Sequence, residues 1–217
     1  AKQSRPRVVF AGANDGMLHA FDGATGVERF GYIPTTALGH MGNLLFPYNA
    51  ADKNTQIFQH RYFVDGQIAV SDAYAGGAWK TVLVGAAGAG GRGVFGLDVS
   101  NPASFTGASV LWEVNDRSSN ATIADNIGYV LGKPVIVPVK TSGGTVAWKA
   151  IFGNGYNSNN GKAVLFVVDV GTGAVQTIQA NEAGAPSGTN GLGSIVVVDN
   201  WSGTSLASRG RDGYADT

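Results

Sequence analysis

The chain has 217 residues, of which 44% are hydrophobic and 14% are charged, so it can build one sizeable core and is not intrinsically disordered. Fifteen basic residues balance fifteen acidic ones with no basic run, which argues against nucleic acid as a partner. The absence of cysteine excludes a disulfide framework, a thiolate nucleophile and a cysteine zinc site.

Hydropathy along the chain gives no sign of a membrane-spanning or targeting segment. No uninterrupted apolar stretch approaches the roughly 18 residues that a transmembrane helix needs. Residues 1–7 are mostly polar, which is unlike the apolar core of a signal peptide. We therefore expect no transmembrane segment, and the sequence remains compatible with an excised part of an exported protein.

Three segments of the chain repeat one pattern. In each, an apolar strand ends in glycine, a turn rich in Gly or Asn follows, and a second apolar strand runs into aspartate. The paired residues are Gly12 and Asp22, Gly85 and Asp98, and Gly153 and Asp169, with spacings of 10, 13 and 16 residues. Hairpins tolerate such growth, because a longer surface loop costs little entropy whereas a one-residue slip turns the apolar face of a strand outward.

The pattern continues into a third strand in each unit. A second turn, of the form Asp-x-x-Thr-Gly, follows Asp22 and Asp169, where Asp can accept bonds from its own backbone and Gly accepts positive φ. Third strands are expected over residues 27–32, 110–114 and 174–179. A fourth unit begins at Ser194 with an expected strand over 195–198.

Units of about 70 residues with three or four strands each are typical of propeller blades. We predict an all-β fold, a partial, modified, quinoprotein-like β-propeller of about three and a half blades in one domain spanning residues 1–217. The expected blades are 6–60, 61–115, 128–180 and, incomplete, 192–217. Since so few blades cannot close a ring, we expect a fragment or strand edges that meet a partner. A β-sandwich is the alternative.

Two stretches give the chain a specific resemblance. Residues 12–26 read GANDGMLHAFDGATG, and residues 60–102 contain RYFVDG followed by GGAWKTVLVG. These strings resemble the C-terminal domain of the PilY family of type IV pilus tip adhesins and biogenesis factors, over about Arg5 to Asp216. The resemblance implies a modified propeller, export to the bacterial cell surface, and one bound Ca²⁺. It also implies roles in pilus extension, twitching motility, fimbrial adhesion to host cells and virulence.

The calcium loop of that family has the pattern Asp-x-Asx-x-Asp-Gly-x-x-Asp after a strand. Its carboxylates and one backbone carbonyl supply the oxygen ligands that Ca²⁺ prefers. The resemblance implies four metal ligands here: Asp199, Asp212, Tyr214 through its carbonyl, and Asp216.

The start of this loop departs from the family pattern. Ser208 and Gly210 stand where carboxylates are expected, so an insertion after Asp199 is needed, and Arg209 and Arg211 would repel a cation. The alternative is a solvated turn without metal.

Other residues favour structural roles over catalysis. His19, His40 and His60 share no metal-ligand spacing, and no Gly-x-Ser-x-Gly elbow occurs. The glycines of 85–93 precede a strand rather than a helix, which favours a hairpin loop over a phosphate site. Four tryptophans are expected to anchor blade interfaces, with Trp112 and Phe30 at equivalent positions: Trp79, Trp112, Trp148 and Trp201.

We therefore expect a non-enzymatic module for adhesion and type IV pilus biogenesis. Its expected partners are minor pilins or other pilus tip proteins and a host or abiotic surface, contacted by the long connections 38–59, 115–125 and 181–192. Two alternatives share the blade type. A quinoprotein dehydrogenase would require a vicinal cysteine pair, which is absent here. An outer-membrane assembly scaffold would require no catalytic residue.

Overall fold

The computed structural model describes residues 5–48, 57–140, 144–180, 189–199 and 213–215. Within these residues the chain forms eleven strands and two short α-helices. The strands are β1 (Val8–Gly12), β2 (Leu18–Asp22), β3 (Glu28–Tyr32), β4 (Ile68–Ala75), β5 (Ala78–Ala86), β6 (Gly93–Asp98), β7 (Val110–Asn115), β8 (Val135–Lys140), β9 (Val146–Gly153), β10 (Val164–Asp169) and β11 (Val175–Gln179). The helices are α1 (Thr35–Leu38) and α2 (Ala121–Asn126), and short 3-10 turns cover Met41–Leu45, Gly88–Gly90, Pro102–Ser104 and Gly107–Ser109.

The strands form three antiparallel sheets in chain order. Sheet 1 contains β1–β2–β3, sheet 2 contains β4–β5–β6–β7, and sheet 3 contains β8–β9–β10–β11. The three expected third strands are confirmed as β3, β7 and β11. By register, β1 corresponds to β5 and β9, so sheet 1 has no described counterpart of the first strands β4 and β8.

Sheet 2 lies between the other two sheets. The burial of both faces of its strand β5 explains why the run TVLVGA is apolar. Val82 and Val84 belong to the core shared with sheet 3, where they join Phe152 and Phe166. Leu83, which points to the opposite side of the strand, belongs to the core shared with sheet 1. Because both faces of β5 are covered, the strand is apolar at consecutive positions.

Aromatic residues lie between successive sheets, as the repeat predicted for Trp112 and Phe30. Trp112 of β7 is 8% exposed, and its Nε1 donates to the carbonyl oxygen of Val170 beyond β10 at 3.3 Å. Phe30 of β3 stacks on Phe105, with ring centroids 3.8 Å apart. Both predictions of inter-sheet packing are confirmed.

Two sequence expectations are corrected. Trp79 is 64% exposed and is not part of the core, because it lies at the end of β5 next to the β4–β5 turn; it does contact the neighbouring sheet, since its ring meets Trp148 of β9 edge-to-face and also meets Tyr74. Residues 195–198 form no strand, because no described strand lies beside them to supply ladder hydrogen bonds. Trp201 lies outside the described residues, whereas Trp148 packs partly buried against the core between sheets 2 and 3.

The β5–β6 connection is a hairpin, as expected for the glycines of 85–93, since strand β6 begins at Gly93. Among the described residues, no helix has the length and apolar character required to cross a bilayer.

Candidate functional site

Antiparallel pairing sends alternate connections to opposite ends of each sheet, and the two longest connections, 33–67 and 116–134, lie at the same end. We call this end the loop face and the other end the turn face. The loop face comprises the described residues of connections 13–17, 33–67, 87–92, 116–134 and 154–163, with residues 189–194 packed beside them. The described parts of the three predicted partner-contact segments, 38–48 and 57–59 of 38–59, 116–125 of 115–125, and 189–192 of 181–192, lie on it; residues 49–56 and 181–188 lie outside the described residues.

Backbone hydrogen bonds join the loop-face connections of sheets 1 and 2. Val64 N donates to Ala13 O at 3.3 Å, and Asp65 N donates to Ala87 O at 3.2 Å. The Asn14 side chain adds a bond by accepting from Phe63 N at 3.3 Å. Segment 63–65 therefore crosses from one hairpin to the next and fixes their relative position.

Glu113 makes a second link between these sheets. Its Oε1 accepts from the Tyr32 hydroxyl and, at 3.1 Å, from Thr35 N, while its Oε2 accepts from the Asn115 amide at 3.1 Å. Burial and this contact with Glu113 raise the pKa of Tyr32 far above its usual range. The phenol therefore stays neutral and donates, which anchors the start of connection 33–67.

Asn154 joins the loop-face connections around sheet 3. Its side chain is fully buried, and its Nδ2 donates to Asn126 O at 2.7 Å and Lys162 O at 2.8 Å. Its Oδ1 accepts from Val164 N at 3.1 Å and Leu192 N at 2.9 Å. One amide thus holds four backbone groups from three segments of the chain.

Glycine allows these connections to approach closely. A Cβ at Gly90 would lie 2.0 Å from Phe63 O, and a Cβ at Gly155 would lie 2.0 Å from Tyr129 O. Gly155 also has φ of +73°, which L-residues rarely adopt. The sequence identified these glycines as turn residues, whereas the structure shows that they also permit backbone-to-backbone packing between connections.

His19 connects the first hairpin to β3 through two carboxylates. Its Nδ1 lies 2.7 Å from Glu28 Oε1 and its Nε2 lies 2.8 Å from Asp15 Oδ2. The hydrogen bond to Glu28 is the largest influence and raises the pKa of His19; burial, the next largest, opposes it, and the hydrogen bond to Asp15 and the two carboxylate charges add to the rise, so the pKa is raised. His19 is therefore the packed strand histidine that the sequence favoured, here with an ion pair at each ring nitrogen.

The turn face repeats one aspartate arrangement in all three sheets. One oxygen of Asp22 accepts from Thr25 N at 2.9 Å and the other pairs with Arg29 at 2.5 Å. Asp169 does the same with Thr172 N at 2.9 Å and Lys149 at 2.9 Å. Asp98 binds Ser100 and Lys80 in the same way.

These contacts shift the titration of the aspartates. The Arg29 guanidinium, followed by the turn N–H groups, holds the pKa of Asp22 well below its usual range. Burial alone would raise the pKa of Asp98 and of Asp169, but the hydrogen bonds from lysine and from the turn outweigh it, so the pKa of each is lowered. The turn aspartates are thus ionised structural residues.

Two of the four predicted metal ligands, Asp199 and Tyr214, lie among the described residues. The Oδ2 of Asp199 accepts from Gly213 N at 2.8 Å, although the two residues are 14 apart in sequence. Ala215 N donates to Pro138 O at 2.9 Å. The Lys140 ammonium lies 5.8 Å from the centroid of the Tyr214 ring. Asp212 and Asp216 lie outside the described residues.

The metal site therefore stays a prediction. The described portions of the chain contain no group of three or more Asp, Glu or His side chains arranged to hold a metal ion. The contact between Asp199 and Gly213 does bring the first and sixth positions of the expected loop together, and the donor set is all oxygen, which fits Ca²⁺ chemistry.

Sequence reasoning missed a polar and aromatic group on the loop face between sheets 2 and 3. The Arg92 guanidinium lies 5.6 Å from the centroid of the Tyr129 ring, and Tyr129 stacks on Tyr156. The unusual run NGYNSNNG over residues 154–161 was the available signal, but only the fold brings Arg92 beside it.

Comparisons with known proteins agree with this architecture. A family model described as the PilY1 β-propeller domain matches residues 1–211. A type IV pilus biogenesis factor PilY1 homolog of Xylella fastidiosa is 47% identical over 199 residues, covering 88% of this chain and 12% of that protein. The type IV pilus biogenesis factor PilY1 of Pseudomonas aeruginosa is 38% identical over 201 residues, covering 92% of this chain and 16% of that protein.

A solved structure extends the match to three dimensions. The crystal structure of the Pseudomonas aeruginosa PilY1 C-terminal domain superposes with a TM-score of 0.69 at 36% sequence identity. The match covers 99% of this chain and 36% of that one. The expected all-β propeller fold is confirmed, and the chain spans a small part of the length of its relatives. The chain belongs to the PilY1 β-propeller family.

Proposed function

We propose that this chain is the non-enzymatic propeller module of a type IV pilus biogenesis factor that acts at the pilus tip on the bacterial surface. In this role it supports pilus extension, twitching motility and attachment to host or abiotic surfaces. The observation that carries the proposal is the 47% identity to a PilY1 homolog across most of the chain.

The partners that we propose are minor pilins or other pilus tip proteins, bound by the loop face. Support comes from the way the connections are held, since Asn154, Glu113 and segment 63–65 fix them relative to one another. Exposed apolar side chains occur on connection 33–67: Leu38 is 55%, Leu45 is 87% and Tyr48 is 79% exposed. Rigid loops with exposed apolar anchors favour specific binding, because little entropy is lost on association.

The pilus role is tested by deletion of the gene for the whole protein in its native bacterium, followed by complementation. We expect deletion to remove most surface pili, counted by electron microscopy, and to abolish twitching, while the folding of outer-membrane proteins is unchanged. A deletion strain with normal pili and normal twitching contradicts the proposal. Defective outer-membrane assembly with normal pili supports the assembly scaffold instead.

We further propose that Ca²⁺ regulates the module, held by Asp199, Asp212 and Asp216 through their carboxylates and by the carbonyl of Tyr214. A bound divalent cation would neutralise the carboxylates and tie residues 213–215, which contact β8 through Pro138, to Asp199. The metal would stabilise the folded state by mass action, since the unfolded chain lacks the assembled ligand set.

Calorimetric titration with Ca²⁺, with Mg²⁺ as the control ion, tests this site. We expect saturable heat for Ca²⁺ and a higher midpoint of thermal unfolding with Ca²⁺ than with a chelator. The Asp199→Ala variant should lose both effects, whereas Asp116→Ala, at an exposed aspartate on the loop face, should keep them. Absence of Ca²⁺ binding to the unaltered protein removes the calcium proposal.

A further inference from the structure

Four side chains form a compact group on the loop face where sheets 2 and 3 meet: Arg92, Tyr129, Tyr156 and Asn159. We call this group the Arg92 cluster. The rings of Tyr129 and Tyr156 stack with centroids 5.2 Å apart and planes 27° apart. The Arg92 guanidinium carbon lies 5.6 Å from the Tyr129 centroid, and its Nη1 donates to Asn159 Oδ1 at 2.6 Å.

Arg92 has hydrogen-bonding capacity that the described residues do not use. No Asp or Glu oxygen in the described ranges lies within 4 Å of its guanidinium. Asp125 is connected to it only through the Asn159 amide, which donates to Asp125 Oδ1 at 3.2 Å. A guanidinium has five N–H donors in a planar fork that pairs best with a carboxylate. The cluster therefore offers a guanidinium with no carboxylate in direct contact among the described residues.

Two buried polar atoms, one on the 154–163 hairpin and one on Arg92 itself, lack partners among the described residues. The hydroxyl of Ser158, a residue only 7% exposed, and the Nε of Arg92 are both buried without a hydrogen-bond partner there. Buried polar atoms are normally satisfied, so each of these two atoms indicates a place where a water or a ligand group can bind.

Asn157, at the tip of this hairpin, is exposed and has a positive φ of 59°. Such backbone strain clusters at functional positions. An amide both donates and accepts hydrogen bonds, and so does a sugar hydroxyl. The exposed ring of Tyr156, 49% accessible, adds a flat apolar surface next to these amides. Together the groups match a pyranose ring that carries an acid group.

We propose that the Arg92 cluster binds a carboxylate-bearing sugar, the uronic acid class found in acidic polysaccharides. The carboxylate pairs with Arg92, the C–H groups of the pyranose pack on Tyr156, and the hydroxyls bond to Asn157. An acidic peptide would satisfy Arg92 but would leave the flat ring and the donor-acceptor amides unused. The inference deepens the attachment part of the proposed function, and its biological meaning rests on that function.

Saturation-transfer NMR titration of the protein tests the inference directly. The probe is D-glucuronate, with D-glucose as the matched neutral sugar and N-acetyl-L-glutamate as the matched acidic amino acid. We expect saturable binding of glucuronate that is about tenfold or more tighter than binding of either control, since a charged hydrogen bond distinguishes them. Equal binding of glucose, equal or tighter binding of N-acetylglutamate, or no saturable glucuronate signal overturns the inference.

Variants assign the binding to the cluster. Arg92→Gln should weaken glucuronate binding about tenfold or more, whereas Arg61→Gln, at an exposed arginine on the loop face near sheet 1, should not change it. Tyr156→Phe retains the ring and should bind normally, whereas Tyr156→Ala should lose most of the affinity. If Arg92→Gln proves unfolded by circular dichroism, the two Tyr156 variants decide the question. Normal binding by Tyr156→Ala, or equal losses in the two arginine variants, overturns the assignment.

A cellular readout separates this inference from the pilus role. A strain carrying Arg92→Gln should make normal numbers of pili and twitch normally but attach less to a surface coated with a uronate polysaccharide. Unchanged attachment by this strain overturns the sugar site and leaves the pilus role intact. Normal pili in the deletion strain, by contrast, contradict the pilus role and say nothing against binding measured in solution.

Discussion

At the scale of single residues, Asn154 shows how much of the loop face depends on one buried amide. Its four hydrogen bonds reach Asn126, Lys162, Val164 and Leu192, and no other described side chain joins as many segments. The sequence indicated only that this asparagine follows the glycine at the end of β9. Its partners lie up to 38 residues away, and hydrogen bonds over that separation leave no local pattern to detect.

Replacing Asn154 should therefore be costly. Asn154→Ala leaves buried backbone donors and acceptors unpaired, and we expect a loss of about 3 kcal/mol in the free energy of unfolding, measured by urea denaturation. The matched variant Asn157→Gly removes an exposed amide three residues away, keeps a residue that accepts the positive φ of that position, and should change stability by less than about 0.5 kcal/mol. Equal effects of the two substitutions would show that the buried bonds are not important to the fold.

His19 gives stability a pH dependence of predictable sign. Because its pKa is raised in the folded state, its contribution is fully present below the unfolded value of about 6.5 and is lost as pH rises through the folded value. The unaltered protein should therefore exceed His19→Gln in thermal midpoint more at pH 5.5 than at pH 9. The variant His40→Gln, at an exposed histidine, is the control. A constant difference across this pH range contradicts the ion-pair arrangement.

At the scale of elements, the aspartate turns are the repeated unit that the sequence predicted most directly. Strand, glycine turn and aspartate have local signatures, and every strand expected in the first three units was found with small shifts of its ends. The short helices α1 and α2 were not predicted, because four and six residues are too few to establish a helical period. The expected strand over 195–198 was wrong, because apolar residues with β propensity still need a neighbour to form a ladder.

Two substitutions at one turn separate its two stabilising contacts. Asp169→Asn keeps an oxygen for the bonds from Gly171 and Thr172 and loses the ion pair with Lys149; since that pair is partly exposed, we expect a loss below about 1 kcal/mol. Asp169→Ala removes both contacts and should cost about 1–2 kcal/mol. Urea denaturation measures both values. An Asn variant as unstable as the Ala variant would mean that the ion pair, rather than the turn, dominates.

At the scale of the whole molecule, three sheets follow one another in chain order, and sheet 2 has both faces covered. This arrangement places the three turn aspartates at one end and the two longest connections, 33–67 and 116–134, at the other. The sequence predicted the sheets and long connections on one propeller face, and the antiparallel topology explains why they share an end. The sequence could not place Arg92 beside Tyr129, because these residues belong to different connections.

The central claim is that the loop face, and not the turn face, binds the partner proteins that pilus assembly requires. Counting surface pili by electron microscopy in strains with matched substitutions tests it most directly. We expect Leu38, Leu45 and Tyr48 changed together to Ser to reduce pili strongly. Val27, in the β2–β3 turn, and Val146, at the turn-face end of β9, are exposed away from the loop face and should tolerate the same change if protein levels are equal. Normal pili in the first strain, or equal losses in both, would contradict the account.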